Sequence, residues 1–505
     1  MSRRHPLSLL LAAALLAGCS MQSTEVAPDW SKYDPFVTSG PGTAIPLSTL
    51  LPPTRGAGTP ISLPTPNPGR RGQTPSQPSQ HVVQDGDTLG GIASLYGISV
   101  EALMQANGLT DPDSLSVGQV LTIPVPTPGA PGPDYKIIPD SELVYGPASV
   151  LLDVNGFILG RNGYLAAYQE QINGETLTAA QIILKVSQNY SVNPRLLLAL
   201  IEYRSGWLTQ ANPDPATLDY PLRYYDDYHA GLYRQLTFAA NELNRGYYLW
   251  RVNAVTNWVL ADGSVVPPAQ TINAGTAGVQ NLLAKLDDRA TWEADVSING
   301  VFKTYYELFG FPFDLSIDPL VPGGLKQPAM QLPFARGETW SFTGGPHGGW
   351  DDGSGWAALD FAPPGLPAGC TPSDNWVEAV ADGVIVRTGE GQVIEDLDGD
   401  GLEQTGWVVL YMHVEYRDRV QPGTAVKAGD RIGHPSCEGG ISNATHLHLA
   451  RKYNGEWIPA DGNLPYNLDG WISVGTGVEY DGYLQNGNSV IEAIDGQNEL
   501  NQITR

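Results

Sequence analysis

The chain of 505 residues is short of cysteine, of basic charge and of charge altogether. Three cysteines exclude a disulfide-dense scaffold, and the odd count asks which one stands alone. Lys and Arg number 28 against 53 Asp and Glu, a net charge of −25. That balance argues against a nucleic-acid partner, because phosphates need a basic face. Charged residues are only 16 % of the chain, so Ser, Thr, Asn and Gly must cover much of its surface. No apolar run reaches the roughly 20 residues that span a bilayer as a helix. What is present is 42 % apolar content, enough for buried cores and too much for a disordered acidic chain. Glycine (58) and proline (41) are abundant and predict extended linkers. At roughly 150 residues per domain, the length suggests about three folded units.

Ser2-Arg3-Arg4 precedes an apolar run from Leu7 to Ala17, and small residues follow it. That is the make-up of a secretory signal. Leu16-Ala17-Gly18-Cys19 resembles the lipobox of bacterial lipoproteins, in which the cysteine is lipidated and becomes the first mature residue. The alternative is an ordinary signal peptide with an incidental cysteine. The resemblance implies residues 1–19 as signal, Cys19 as lipid attachment point and an extracytoplasmic, membrane-anchored protein. Its only membrane contact would be that anchor. Disulfides persist in such a compartment. Cys370 and Cys437 are then left as a pair, with two free buried thiols as the alternative.

Residues 20–80, rich in Pro, Ser, Thr and Gly, read as a tether. Residues 81–125 form a small unit: strand, turn, helix, helix, strand. Thr88 is a cap for a helix with Leu89, Ile92, Ala93 and Tyr96 on one face. Gly97 is placed to end it, Ser99 to cap the next and Asn107-Gly108 to close that. Gly86-Asp-Thr-Leu, Asn107-Gly-Leu and Val117-Gly-Gln-Val-Leu-Thr-Ile-Pro resemble the LysM domain, an α+β module of order βααβ. The resemblance implies binding of N-acetylglucosamine polymer or peptidoglycan. The groove would lie near Asp87, Thr88 and Leu89 and the loop Asn107, Gly108 and Leu109.

A second linker, 126–140, leads to a mostly helical region, 141–325. Ser191 to Trp207 resembles the lytic-transglycosylase segment in which a catalytic Glu precedes Ser-Gly. In register that position is Arg204, which does not release its proton. Glu202 lies two residues earlier, on another side of the helix. The resemblance implies a lysozyme-like domain that is catalytically silent. Tyr224, Tyr225, Tyr228 and Trp250 are aromatics through which it could still grip glycan, and they are equally ordinary core residues.

Residues 331–462 read as short strands and turns, followed by an extension, 463–505. Thr445-His446-Leu447-His448-Leu449 alternates, so both imidazoles share one face of a strand. They lie about 7 Å apart, near enough for one to bind a metal and the other to stand behind it. A second strand ends at His413, and Asp360 is an acidic candidate. A catalytic zinc takes three protein ligands and an open position, which Asp360, His448 and one further ligand would provide.

Ala357-Ala-Leu-Asp-Phe-Ala, Val380-Ala-Asp-Gly-Val-Ile, Leu410-Tyr-Met-His and Thr445-His-Leu-His-Leu resemble the LytM/lysostaphin-type zinc endopeptidases of bacterial walls, an all-β fold. The resemblance implies Asp360 and His448 as zinc ligands and His413 and His446 as catalytic residues. It implies hydrolysis of peptide cross-links. The family's histidine four residues before the Asp is Trp356 here, and indole cannot bind zinc. His347 is the nearby histidine, so the expected ligand set is His347, Asp360 and His448. The alternative is a degenerate wall-binding scaffold or activator of other hydrolases. Asp396, Asp398 and Asp400 have the spacing of an EF-type calcium loop. Position twelve is Trp407, which leaves Glu403 as a substitute ligand, and an acidic surface turn is the alternative.

Overall fold

The computed structural model describes residues 78–505, apart from 85, 126–128 and 318. The signal segment, Cys19 and nearly all of the first tether lie outside the described residues.

The first unit is a two-stranded antiparallel ribbon, β1 (Ser79–Val82) and β2 (Val120–Ile123), with α1 (Leu89–Tyr96) and α2 (Val100–Asn107) between them. Ser99 Oγ accepts from Ala102 N at 3.1 Å, and Gly97 and Gly108 take left-handed φ values of 63°. Those two turns need glycine, because a Cβ disfavours that region. Leu89, Ile92, Ala93, Leu103, Leu121 and Ile123 form the unit's own core.

The second linker does not hang free over its whole length. Ile137 and Ile138 are fully buried in the helical core, and Gly132 N donates to Pro267 O at 2.8 Å. The helices are α3 (Val154–Arg161), α4 (Ala179–Tyr190), α5 (Pro194–Ser205), α6 (Leu232–Arg251), α7 (Ala274–Leu286), α8 (Arg289–Asp295) and α9 (Val301–Phe309). Two small hairpins, β3 (Gln169–Ile172) with β4 (Glu175–Thr178) and β5 (Trp258–Val259) with β6 (Val265–Val266), interrupt them. Thr178 and Gln181 form a reciprocal capping box at the start of α4. Asn193 caps α5, Pro194 opens it and Gly206 closes it. The apolar run in α5 is buried all round, as such a run must be in water.

The C-terminal strands are β7 (Thr339–His347), β8 (Ala358–Ala362), β9 (Val377–Glu378), β10 (Gly383–Gly389), β11 (Gln392–Asp396), β12 (Trp407–Met412), β13 (Ala425–Val426), β14 (Arg431–Gly433), β15 (Leu447–Tyr453) and β16 (Glu456–Trp457). They are followed by β17 (Asn467–Leu468), β18 (Trp471–Gly475), β19 (Gly482–Asn486), β20 (Ser489–Glu492) and β21 (Gln502–Thr504). The main sheet runs β13-β10-β11-β12-β15-β8-β7-β21, with β16 on β15, while β17 to β20 make a smaller sheet. The extension after residue 462 is therefore not separate from the strand domain, since its last strand pairs with β7.

Alternation sorts the main sheet into two faces. Leu359, Phe361, Val409, Tyr411, Leu447 and Leu449 enter one core. Ala358, Val408, Leu410, Met412 and Ala450 enter the other, which is continuous with the helical region. Trp457 is buried there, its backbone N donating to Tyr248 Oη at 2.9 Å. Asp360 lies between Leu359 and Phe361, and His448 between Leu447 and Leu449. Both thus share the face on which the helices pack.

Candidate metal centre

Asp360 of β8 and His448 of β15 are paired across the sheet, and Met412, at the end of β12, pairs with His448. The next residue after β12 is His413, held at a left-handed φ of 66°. That costly backbone is fixed by Ser436, whose N and Oγ both donate to His413 O, at 2.6 and 2.9 Å. His347 ends β7 after an irregularity in register and lies opposite Ala358.

His347 Nε2, His448 Nδ1 and Asp360 Oδ1 converge. The two nitrogens are 2.9 Å apart, and each lies 3.3 Å from Asp360 Oδ1. His446 Nε2 is 3.8 Å from the same oxygen, and the His413 and His446 rings are 4.5 Å apart. The other ring nitrogens donate to backbone carbonyls: His347 Nδ1 to Gly345 at 2.8 Å, His448 Nε2 to Gly349 at 3.2 Å. His413 Nδ1 donates to Glu438 O at 3.1 Å and His446 Nδ1 to Ala444 O at 2.8 Å. With those protons committed to carbonyls, the other nitrogen of each ring faces inward.

These donors fit zinc. Ligand atoms about 2.1 Å from a tetrahedral ion are about 3.4 Å from each other. Asp360 Oδ1 is buried and has no hydrogen-bond partner among the described residues, an arrangement that a bound cation resolves. Burial pushes the Asp360 carboxyl up, but the neighbouring His347 and His446 outweigh it and hold it well below the usual range. Burial, with His446 and His448 beside it, pushes His413 down to about 3.

The other expected residues fare differently. Asp87 is tied to His81 Nε2 at 2.8 Å, and Thr88 Oγ1 accepts from Gly91 N at 3.0 Å. Leu89 is 2 % exposed, in the core of its unit. Asn107 braces α2 to β2, donating to Leu103 O and Thr122 O and accepting from Thr122 N. Gly108 closes α2, and Leu109 packs partly against the core. Cys370 and Cys437 are bonded, with Cα atoms 5.7 Å apart.

Asp396, Asp398 and Asp400 offer carboxylate oxygens within 4.8 Å of one another. Asp396 also accepts from the backbone N of Asp398, Gly399 and Gly401, and Asp400 from Leu402 N and Thr405 Oγ1. Glu403 does not join them; Arg387 grips it at 2.6 and 3.1 Å and Lys452 lies 3.6 Å away. Trp250 is core, 1 % exposed, whereas Tyr225 and Tyr228 are exposed. The sequence reading missed the loop Gly348 to Ser354, which follows His347 and is tied to α6. Asn241 Oδ1 accepts from Gly353 N at 2.8 Å, and Arg245 Nη2 pairs with Asp352 Oδ1 at 2.6 Å. Its one sequence signal was the run of acidic and small residues beside the histidine.

Two histidines and an aspartate on an antiparallel sheet, with two further histidines beside them, form a cluster that could hold a metal ion. Residues 367–459 match the model of Peptidase family M23, residues 81–124 that of the LysM domain, and residues 136–320 that of the LasA N-terminal domain. The chain carries a LysM domain and a C-terminal M23-family zinc peptidase domain, and that fold with its His-Asp-His cluster supports a zinc metalloendopeptidase activity. Curated relatives are similar over a short stretch. N-acetylmuramoyl-L-alanine amidase XlyB of Bacillus subtilis (strain 168) is 45 % identical over 49 residues, 10 % of this chain and 16 % of the relative. XlyA of the same organism is 40 % identical over 60 residues, 12 % of this chain and 20 % of the relative. The chain thus spans a fifth or less of these relatives. Among solved structures, the M23 metalloprotease pseudoalterin from the deep sea is 25 % identical, covering 33 % of this chain and 96 % of that one, at a TM-score of 0.28. The catalytic domain of lysostaphin from Staphylococcus simulans is 27 % identical, covering 24 % and 89 %, at 0.18.

Proposed function

We propose that the whole protein is a wall-bound zinc endopeptidase that hydrolyses peptide bonds in peptidoglycan cross-links. The observation that carries this is the convergence of His347 Nε2, Asp360 Oδ1 and His448 Nδ1. These three would hold the zinc. When bound, zinc supplies Lewis-acid polarisation and an acidified water as nucleophile. His413 and His446 are oriented by carbonyls, with Nε2 left to serve the reaction. One takes the water's proton on Nε2, and the N–H so formed stabilises the charge developing on the peptide oxygen. The LysM unit keeps the peptidase on its polymer, raising the local substrate concentration.

The helical region is read as a silent, lysozyme-like body. Arg204 Nη1 is locked to Asp287 at 2.8 Å and Asp295 at 2.9 Å. Glu202 is occupied by Leu208 N, Thr209 N and Thr209 Oγ1. Lipid anchorage at Cys19 and an extracytoplasmic location complete the proposal. Calcium at Asp396, Asp398 and Asp400 is a further one. It requires that chelation lower the melting temperature of protein already saturated with zinc.

The deciding experiment measures zinc content and peptide release from purified wall. The wild type is expected to hold one zinc and release peptides. His347→Ala loses the zinc, and His446→Ala keeps zinc but loses release. Wild type without zinc overturns the peptidase reading. Zinc without peptide release would favour a wall-binding activator.

A further inference from the structure

His347 lies outside the stretch that matches the peptidase family, and the segment that holds it comes from far along the chain. The C-terminal extension grips β7 at both ends. At one end β21 pairs with it, Ile503 opposite Trp340. At the other, Gly345 N donates to Tyr480 O at 2.7 Å and Tyr480 N donates to Pro346 O at 3.1 Å. The approach is so close that a Cβ on Gly345 would stand 2.6 Å from the Asp481 carbonyl carbon. A Cβ on Gly482 would meet Pro346 Cδ at 2.9 Å.

Tyr480 itself is at φ 64°, a conformation unfavourable for a bulky side chain. Its ring lies flat on the His347 imidazole, with centroids 4.2 Å apart and planes 19° from parallel. The residue is 55 % exposed, so core burial does not explain its conformation. Tyr480 thus pairs through its backbone with both residues that precede His347. Gly345, whose N–H donates to Tyr480 O, also supplies the carbonyl that fixes the His347 tautomer.

We propose that Tyr480 is a positioning residue for the first metal ligand. The tyrosine ring sets the plane of the imidazole. Nε2 is thereby aimed at the point shared with Asp360 and His448. The extension is then part of the metal site's construction. This rests on the zinc reading above.

The test uses the full chain and the variants Tyr480→Ala and Tyr480→Phe. Zinc affinity is read by competition with a chromophoric chelator. The site's geometry is read from the visible absorption of the cobalt-substituted protein, and folding from the melting temperature of the metal-free chain. Tyr480→Ala is expected to weaken zinc binding about 10- to 100-fold, as loss of supporting groups does elsewhere. It should alter the cobalt spectrum, with the metal-free melting temperature unchanged. Tyr480→Phe, which keeps the ring, should restore affinity and spectrum. Wild-type affinity and spectrum in Tyr480→Ala would overturn the positioning role alone, as would equal losses in Phe and Ala. A wild type that binds no zinc would instead overturn the reading on which it rests.

Discussion

At the residue scale, function is concentrated in side chains whose protons are already committed. Four imidazoles each spend one N–H on a backbone carbonyl, so their tautomers are set before a metal or substrate arrives. A different buried acid makes a sharp test of linkage. Glu395 is fully buried, accepts from Tyr411 Oη at 2.5 Å and leaves Oε1 without a hydrogen bond among the described residues. Burial raises its pKa to about 8, and the Tyr411 bond only partly offsets that. The folded state therefore holds the proton more tightly than the unfolded state, whose value is the ordinary 4.5. Stability from this group is full below the unfolded value and is lost as pH rises through the folded one, by about 1.4 kcal/mol per pH unit in between. Glu395→Gln should remove that slope. Unfolding free energies from pH 5 to 8 should converge at the acid end and favour the variant at the alkaline end. The acidic and histidine candidates were legible as residue types. His347, which lies beside Asp360 and His448 in the structure, was legible only as the nearest histidine, because a fold-back over 13 residues depends on partners outside the segment.

At the element scale, caps and alternation were readable from near neighbours. Thr178 with Gln181, Asn193 with Pro194, and Ser99 each act within one turn of chain, so the sequence contains the whole interaction. The bond between Cys370 and Cys437 acts across a separation of 67 residues. It braces the stretch that enters β15, where Thr445 Oγ1 both accepts from Thr371 N at 2.9 Å and donates to Thr371 O at 2.6 Å. Replacing both cysteines by serine should cost about 4 kcal/mol on the loop-entropy model. The loss is to be measured as a lower denaturant midpoint, with reductant producing it in wild type and not in the variant. The loop after His347 is held by α6, so Asn241→Ala with Arg245→Ala should weaken zinc retention under chelator. The pair at Arg245 is partly exposed, and its direct effect on the melting temperature should be small.

At the scale of the whole molecule, the helical region and the sheet share one apolar core, while the LysM unit has its own. Trp457 sits in the shared core and bridges it through Tyr248 and, from Nε1, to Tyr190 O at 3.4 Å. Trp457→Ala should cost about 3–5 kcal/mol. Helical and strand signals should fall together in one cooperative transition at lower temperature, as followed by far- and near-ultraviolet circular dichroism. Two separate transitions would show that the core does not couple them.

By itself the sequence determined the βααβ order of the LysM unit, the helical middle and the strand-rich C-terminal part. It also singled out the histidines and aspartate from which a metal site would be built. Each of these follows from periodicity, caps and motifs that act over a few residues. Only the tertiary structure decided which donors meet, because His347 and His448 are 101 residues apart and are joined by strand pairing. It also decided that the helices cover the face of the sheet that carries Asp360 and His448, and that Tyr480 and β21 pair with the strand that ends at His347. Those contacts depend on burying surfaces contributed by distant segments, and no local pattern encodes them.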